Sequence, residues 1–132
     1  MKILIVGAGA MGSLFGGLLK LKDYDVTLVD VFQKHIEAIN KNGLLLETDS
    51  GKHVIRIPAK YAHEISEKAN LIIIFTKTYH TKSALESVKH LIDDDTFVLT
   101  VQNGLGNVEK VSEYVNPSRI IVGMTNHPSE FL

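Results

Sequence analysis

Residues 1–17, MKILIVGAGAMGSLFGG, join a short apolar run to three glycines spaced G-x-G-x-x-G and then to a second apolar stretch of helical period. Ile3–Val6 reads as a buried strand, and Met11–Lys22 as a helix presenting Leu14, Phe15, Leu18 and Leu19 on one face. Gly7, Gly9 and Gly12 fall between the two, where each costs backbone entropy and so calls for a physical reason. A strand, a glycine-rich turn and a helix in direct succession form the first half of a βαβ unit. In that context the spacing is a dinucleotide fingerprint.

The same alternation continues along the chain. Val26–Val29 reads as a second strand and Phe32–Asn42 as a second helix, stopped by Asn42-Gly43. Two alternating runs around Asp49-Ser50-Gly51 signal a hairpin, which could add one antiparallel strand to the sheet. Leu71–Phe75 is the most apolar segment and suits the centre of a sheet covered on both faces. A helix over Thr81–Leu91, a strand over Phe97–Val101, a short helix over Asn107–Tyr114 and a strand over Arg119–Gly123 complete the pattern. The expected architecture is α/β: a Rossmann-like, doubly wound, mostly parallel sheet with helices on both faces.

Composition narrows the function. The 132 residues suffice for one hydrophobic core, with 45% hydrophobic and 22% charged residues. A net charge of −1 without any Lys/Arg run gives no footprint for nucleic acid or an acidic membrane surface. The absence of cysteine excludes disulfides, thiolate catalysis and Cys-based zinc sites, and fits a reducing cytoplasm. The apolar start breaks at Gly7, too early for a signal peptide or membrane span. The six histidines show no metal-ligand spacing, and G-x-S-x-G is missing, so neither a metal site nor a covalent hydrolase is expected.

Within the fingerprint, Gly7 permits the tight turn, Gly9 lets a pyrophosphate approach the backbone, and Gly12 lets helix and strand pack closely. The candidate cofactor-binding segment is thus Gly7, Ala8, Gly9, Ala10, Met11 and Gly12, with free N–H groups at the helix start as the anion site. Gly16 and Gly17, inside the helix, are expected to ease packing on the sheet. Asp30 ends the second strand, 18 residues after Gly12, where a carboxylate accepts hydrogen bonds from adenosine ribose hydroxyls. Three stretches leave strands at the same sheet edge: TKTYHT at 76–81, QNGLGN at 102–107 and MTNHPSEF at 124–131. From them come Lys77, able to meet a ribose hydroxyl or phosphate or to donate a proton, and Asn103, whose amide both donates and accepts. Gly104 and Gly106 allow close backbone approach. His80 and His127 are weaker candidates for chemistry near neutral pH.

These elements together resemble the ketopantoate reductases (2-dehydropantoate 2-reductases). The resemblance covers the whole chain and rests on GAGAMG at 7–12, the lysine in FTKTYHT at 75–81, VQNGLGN at 101–107 and VGMTNH at 122–127. It implies hydride transfer from a reduced nicotinamide to the small 2-oxo acid ketopantoate, giving pantoate for pantothenate and coenzyme A. It also implies that Lys77 lies near the nicotinamide, that Asn103 contacts cofactor and substrate, and that His127, Pro128 and Ser129 flank the nicotinamide. Two departures stand out. The family favours NADPH and often carries a basic residue just after the second strand. This chain has Asp30-Val31 there, with Lys34 as the nearest substitute, which favours NADH. The family's helical C-terminal domain, with its catalytic lysine and an acidic substrate-binding residue, has no counterpart, because the chain stops nine residues after Gly123. Residues 1–132 therefore read as the dinucleotide-binding domain of a longer enzyme, expected to be inactive alone. A non-catalytic NAD(H)-sensing domain and a related 2-oxo or hydroxy acid dehydrogenase stay open as alternatives, as does a homodimer.

Overall fold

The computed structural model describes residues 1–75, 81–100 and 107–123. Its strands are β1 (Lys2–Val6), β2 (Asp25–Val29), β3 (Leu44–Thr48), β4 (Gly51–Ile55), β5 (Ala59–Lys60), β6 (Leu71–Ile74), β7 (Phe97–Thr100) and β8 (Ile120–Val122). The helices are α1 (Ala10–Leu21), α2 (Gln33–Asn42), α3 (Thr81–Val88) and α4 (Asn107–Ser112). Each expected strand is present to within a residue or two. The expected helix over 81–91 is α-helical only to Val88 and tightens into a 3-10 turn over Lys89–Leu91.

Six strands form one parallel sheet in the order β5-β2-β1-β6-β7-β8. Numbered among themselves they run 3-2-1-4-5-6, the order of the dinucleotide-binding Rossmann fold. The chain winds one way from β1 and the other way from β6, so the strand order reverses between these two neighbours. Their alternate side chains feed two cores. Leu4, Val6, Ile72, Ile74 and Val98 pack against α3 and α4 residues such as Leu85, Val88 and Val111. Ile3, Ile5, Val26 and Leu28 face the other way, toward Ile36 and Ile39 of α2 and the hairpin residues Leu46 and Ile55. Strands covered on both faces need the continuous apolar runs seen in the sequence.

Two expectations are corrected. The hairpin adds no strand to the main sheet: β3 and β4 pair with each other as a separate two-stranded sheet packed on α1. The extra strand at that end is β5, parallel to β2, and only two residues long. Asn40 of α2 closes its outer edge like a further strand, donating from Nδ2 to the Ala59 carbonyl at 2.7 Å and accepting the Ala59 N–H at 2.9 Å. The second correction concerns α1. Its buried residues are Gly12, Gly16 and Gly17, whereas Leu14 and Leu19 are half-buried and Phe15 and Leu18 exposed. A Cβ on Gly16 would sit 2.7 Å from Leu28 Cδ2, and one on Gly17 3.2 Å from Leu44 Cδ2. The helix lies so close to sheet and hairpin that its inward face is made of residues without side chains.

The other side of the sheet is tied by polar contacts. The Tyr114 hydroxyl after α4 donates to Glu86 of α3 at 2.7 Å. Thr96, fully buried before β7, donates from its hydroxyl to the Ala69 carbonyl at 2.6 Å and accepts the Asp93 N–H at 3.0 Å.

Candidate functional site

The carboxyl ends of β1, β2 and β6 meet where the strand order reverses, the place at which open α/β sheets take ligands. Two backbone bonds hold this edge: the Gly7 N–H donates to the Val29 carbonyl, and the Phe75 N–H to the Val6 carbonyl, both at 2.9 Å. Gly7 has φ of 104°, a conformation that L side chains rarely adopt. Its turn carries the chain over the sheet edge into α1. A Cβ on Gly12 would overlap the Gly7 carbonyl oxygen, so the start of α1 is seated directly on the turn. Both glycines have the roles that the spacing predicts.

Gly9 differs from its neighbours. It is the N-cap of α1, with φ −73° and ψ −164°, and a Cβ built there meets nothing within 4 Å. No side chain caps the helix and its first turn holds no acidic residue. The Ser13 N–H already bonds the Gly9 carbonyl at 2.8 Å, and the Ser13 hydroxyl anchors the Ala8 carbonyl at 2.9 Å. The first turn of α1 thus has neither a side-chain cap nor an acidic residue, the kind of helix start at which phosphate anions bind in other proteins.

Asp30 stands one strand away, at the end of β2. Its side chain is only 10% exposed, and both oxygens are engaged. Oδ1 accepts the Val31 N–H at 2.7 Å and Oδ2 faces His35 Nδ1 at 3.0 Å. The Asp30 N–H bonds the Lys60 carbonyl at 3.2 Å, tying the acid to β5. His35, in the first turn of α2, is absent from the sequence-derived candidates. So are Val31 and Phe32, which are 75% and 68% exposed beside the acid. Their signal is an apolar pair where a polar turn is the rule, followed by a histidine one helical turn on. Lys34 is exposed on α2 with no partner among the described contacts.

The remaining candidates, Lys77, His80, Asn103, Gly104, Gly106, His127, Pro128 and Ser129, lie outside the described residues. Among the described residues no group of three or more His, Cys, Asp or Glu could hold a metal ion. Nor is any helix among them long and apolar enough to cross a membrane.

Fold and glycine loop together define an α/β domain of the Rossmann type. The family described as ketopantoate reductase PanE/ApbA matches residues 3–131, and the chain belongs to that family. It is 50% identical over 114 residues to the 2-dehydropantoate 2-reductase of Pyrococcus horikoshii, covering 86% of this chain and 36% of the relative. It is 39% identical over 127 residues to that of Lactococcus lactis subsp. lactis, covering 95% and 41%. A ternary structure of D-mandelate dehydrogenase with NADH and anilino(oxo)acetate superimposes with a TM-score of 0.87 at 34% identity, covering 94% of this chain and 40% of that one. The chain spans 36–41% of the length of these curated relatives.

Proposed function

We propose that the protein is a nicotinamide-dependent reductase that converts ketopantoate to pantoate, with residues 1–132 as its dinucleotide-binding domain. The observation that carries the reading is the open, uncapped start of α1 at Gly9, on a turn fixed by Gly7 and Gly12 at the strand-order reversal. Family membership supplies the substrate class. A second domain, matching the part of the relatives that this chain does not cover, completes the substrate pocket and provides the acid that protonates the developing alkoxide. The bound nicotinamide supplies hydride. On this chain, the first-turn amides of α1 hold the pyrophosphate, and Asp30 accepts from the adenosine ribose. We further assign Lys77 to the nicotinamide side and Asn103 to the substrate carbonyl, with Ser129 in the flanking loop. The lack of cysteine supports a cytoplasmic location.

We assign NADH as the preferred cofactor. A carboxylate about 4 Å from a 2′-phosphate is repelled by up to ~4 kcal/mol per charge pair at an effective dielectric near 20, before salt and relaxation reduce it. The similar D-mandelate dehydrogenase structure contains NADH, which supports this choice and favours one second reading: reduction of a different, bulkier 2-oxo acid. No observation favours a non-catalytic sensor.

The test follows reduced-nicotinamide absorbance with ketopantoate and phenyl-substituted 2-oxo acids, using the protein at its natural length and the 132-residue chain. The full protein should turn over ketopantoate and the short chain should not. Gly9→Val should abolish dinucleotide binding with the fold intact. Cofactor affinity unchanged by Gly9→Val would sink the pyrophosphate assignment, and turnover by the short chain would place the catalytic acid within it.

A further inference from the structure

We propose that His35 is a positioning residue that sets the choice between NADH and NADPH by holding the Asp30 carboxylate in one orientation; this rests on the dinucleotide reading above. A carboxylate only accepts hydrogen bonds, so the contact of 3.0 Å between Asp30 Oδ2 and His35 Nδ1 requires the proton on Nδ1. The other oxygen is fixed independently, by the Val31 N–H at 2.7 Å. One bond on each oxygen pins the plane of the group. The pinned group keeps a spare acceptor position on each oxygen, matching the two hydroxyls of a ribose diol, each of which brings a proton to donate. A 2′-phosphate brings only acceptors and negative charge, and meets oxygens that cannot swing aside.

The sequence gives His35 this role through helix geometry. Phe32 is the N-cap of α2, so His35 falls in the first turn, on the side facing the end of β2. The imidazole is 38% exposed, while the Asp30 side chain it covers is 10% exposed. Histidine thus both donates the bond and shields the acid from water, which strengthens the bond and the exclusion of phosphate alike.

The experiment measures NADH and NADPH dissociation constants for the protein at its natural length. The variants are His35→Phe, His35→Asn, each of these in an Asp30→Ala background, and Gly9→Val as control. His35→Phe should weaken NADH about three- to tenfold, the worth of one hydrogen bond, while NADPH holds steady or tightens. His35→Asn places an amide donor near the position of Nδ1 and should restore the unsubstituted ratio. With Asp30→Ala in place, His35→Phe should no longer move the ratio. Equal changes for both cofactors, a larger loss of NADPH than of NADH, or additive effects in the Asp30→Ala background would each overturn the role of His35. If the unsubstituted protein binds neither dinucleotide, or Gly9→Val binds as well as it does, the dinucleotide reading fails and this inference with it.

Discussion

Replacing Gly9 with serine should make the domain more stable and a worse binder of its cofactor. The stability side follows from the geometry at the N-cap. Nothing lies within 4 Å of a Cβ at this position, and φ −73° with ψ −164° is open to any residue. Serine loses less unfolded-chain entropy than glycine, a gain of about 0.4–1 kcal/mol by analogy with Gly→Ala replacements. Its hydroxyl can also accept one of the uncapped amides of α1, adding a few tenths of a kcal/mol, for a total of ~0.6–1.4 kcal/mol. The binding side has the opposite sign, because the same hydroxyl occupies the space and the amide that the pyrophosphate needs. Loss of one hydrogen bond to a charged group, about 1.5–3 kcal/mol, corresponds to a roughly 10- to 150-fold weaker complex. Urea denaturation without cofactor measures the first effect, and fluorescence titration with NADH the second. A stabilised Gly9→Ser protein with unchanged NADH affinity would refute the anion site. A destabilised one would refute the open N-cap.

Gly12→Ala should instead cost about 3 kcal/mol, at the upper end of overpacking penalties, because the obstacle is the Gly7 carbonyl and not a side-chain tip. For an m-value near ~2 kcal/mol/M this lowers the urea midpoint by about 1.5 M. Thr96→Val removes the partner of the buried Ala69 carbonyl and of the Asp93 N–H, and should destabilise by about 1–3 kcal/mol in the same assay. Burial and the bond to Glu86 raise the Tyr114 phenol to about 12, so one tyrosine should ionise late in an ultraviolet titration and return toward 10 in Glu86→Gln. The bond from Tyr114 in turn holds Glu86 below the usual carboxylate value of 4.5. The pair's contribution to stability is therefore complete between about pH 5 and 10. It fades as pH falls below the ordinary carboxylate range, or as pH climbs through 12 and the phenol ionises. Denaturation midpoints of the unsubstituted protein and Tyr114→Phe across this range should diverge only in the middle.

Periodicity located the strands because residues such as Ile3, Ile5, Ile72 and Ile74 are buried on both faces of the sheet and had to be apolar throughout. It misjudged α1 for an instructive reason. A hydrophobic count sees side chains, and the closest contacts of α1 are made where side chains are missing, at Gly12, Gly16 and Gly17. The hairpin was legible as two paired runs, but alternation tells which residues face inward and not which layer they face. β5 is two residues after Pro58, too short for any pattern, and owes its place to β2 and the Asn40 amide. At the candidate site, the turn at Gly7 and the close packing at Gly12 were legible because the glycine spacing follows from the backbone geometry they need. His35 was not, since its pairing with Asp30 arises only once the start of α2 sets the direction of its first turn.

The side-chain-free face of α1 also makes the helix a lever. Gly12 rests on the Gly7 turn at the start of the helix, and Gly17, five residues or ~7.5 Å along the axis, rests on Leu44, Leu46 and Ile55 of the hairpin. At the Gly12 end the contact is with backbone, which cannot move aside, whereas at the Gly17 end it is with side-chain tips that give by a few tenths of an ångström. A larger residue at Gly17 would push against those tips, and whatever they do not absorb would tilt the helix on its seat at Gly12. The hairpin, not part of the main sheet, thereby becomes a place from which selection or an engineer can adjust how α1 is seated on the Gly7 turn.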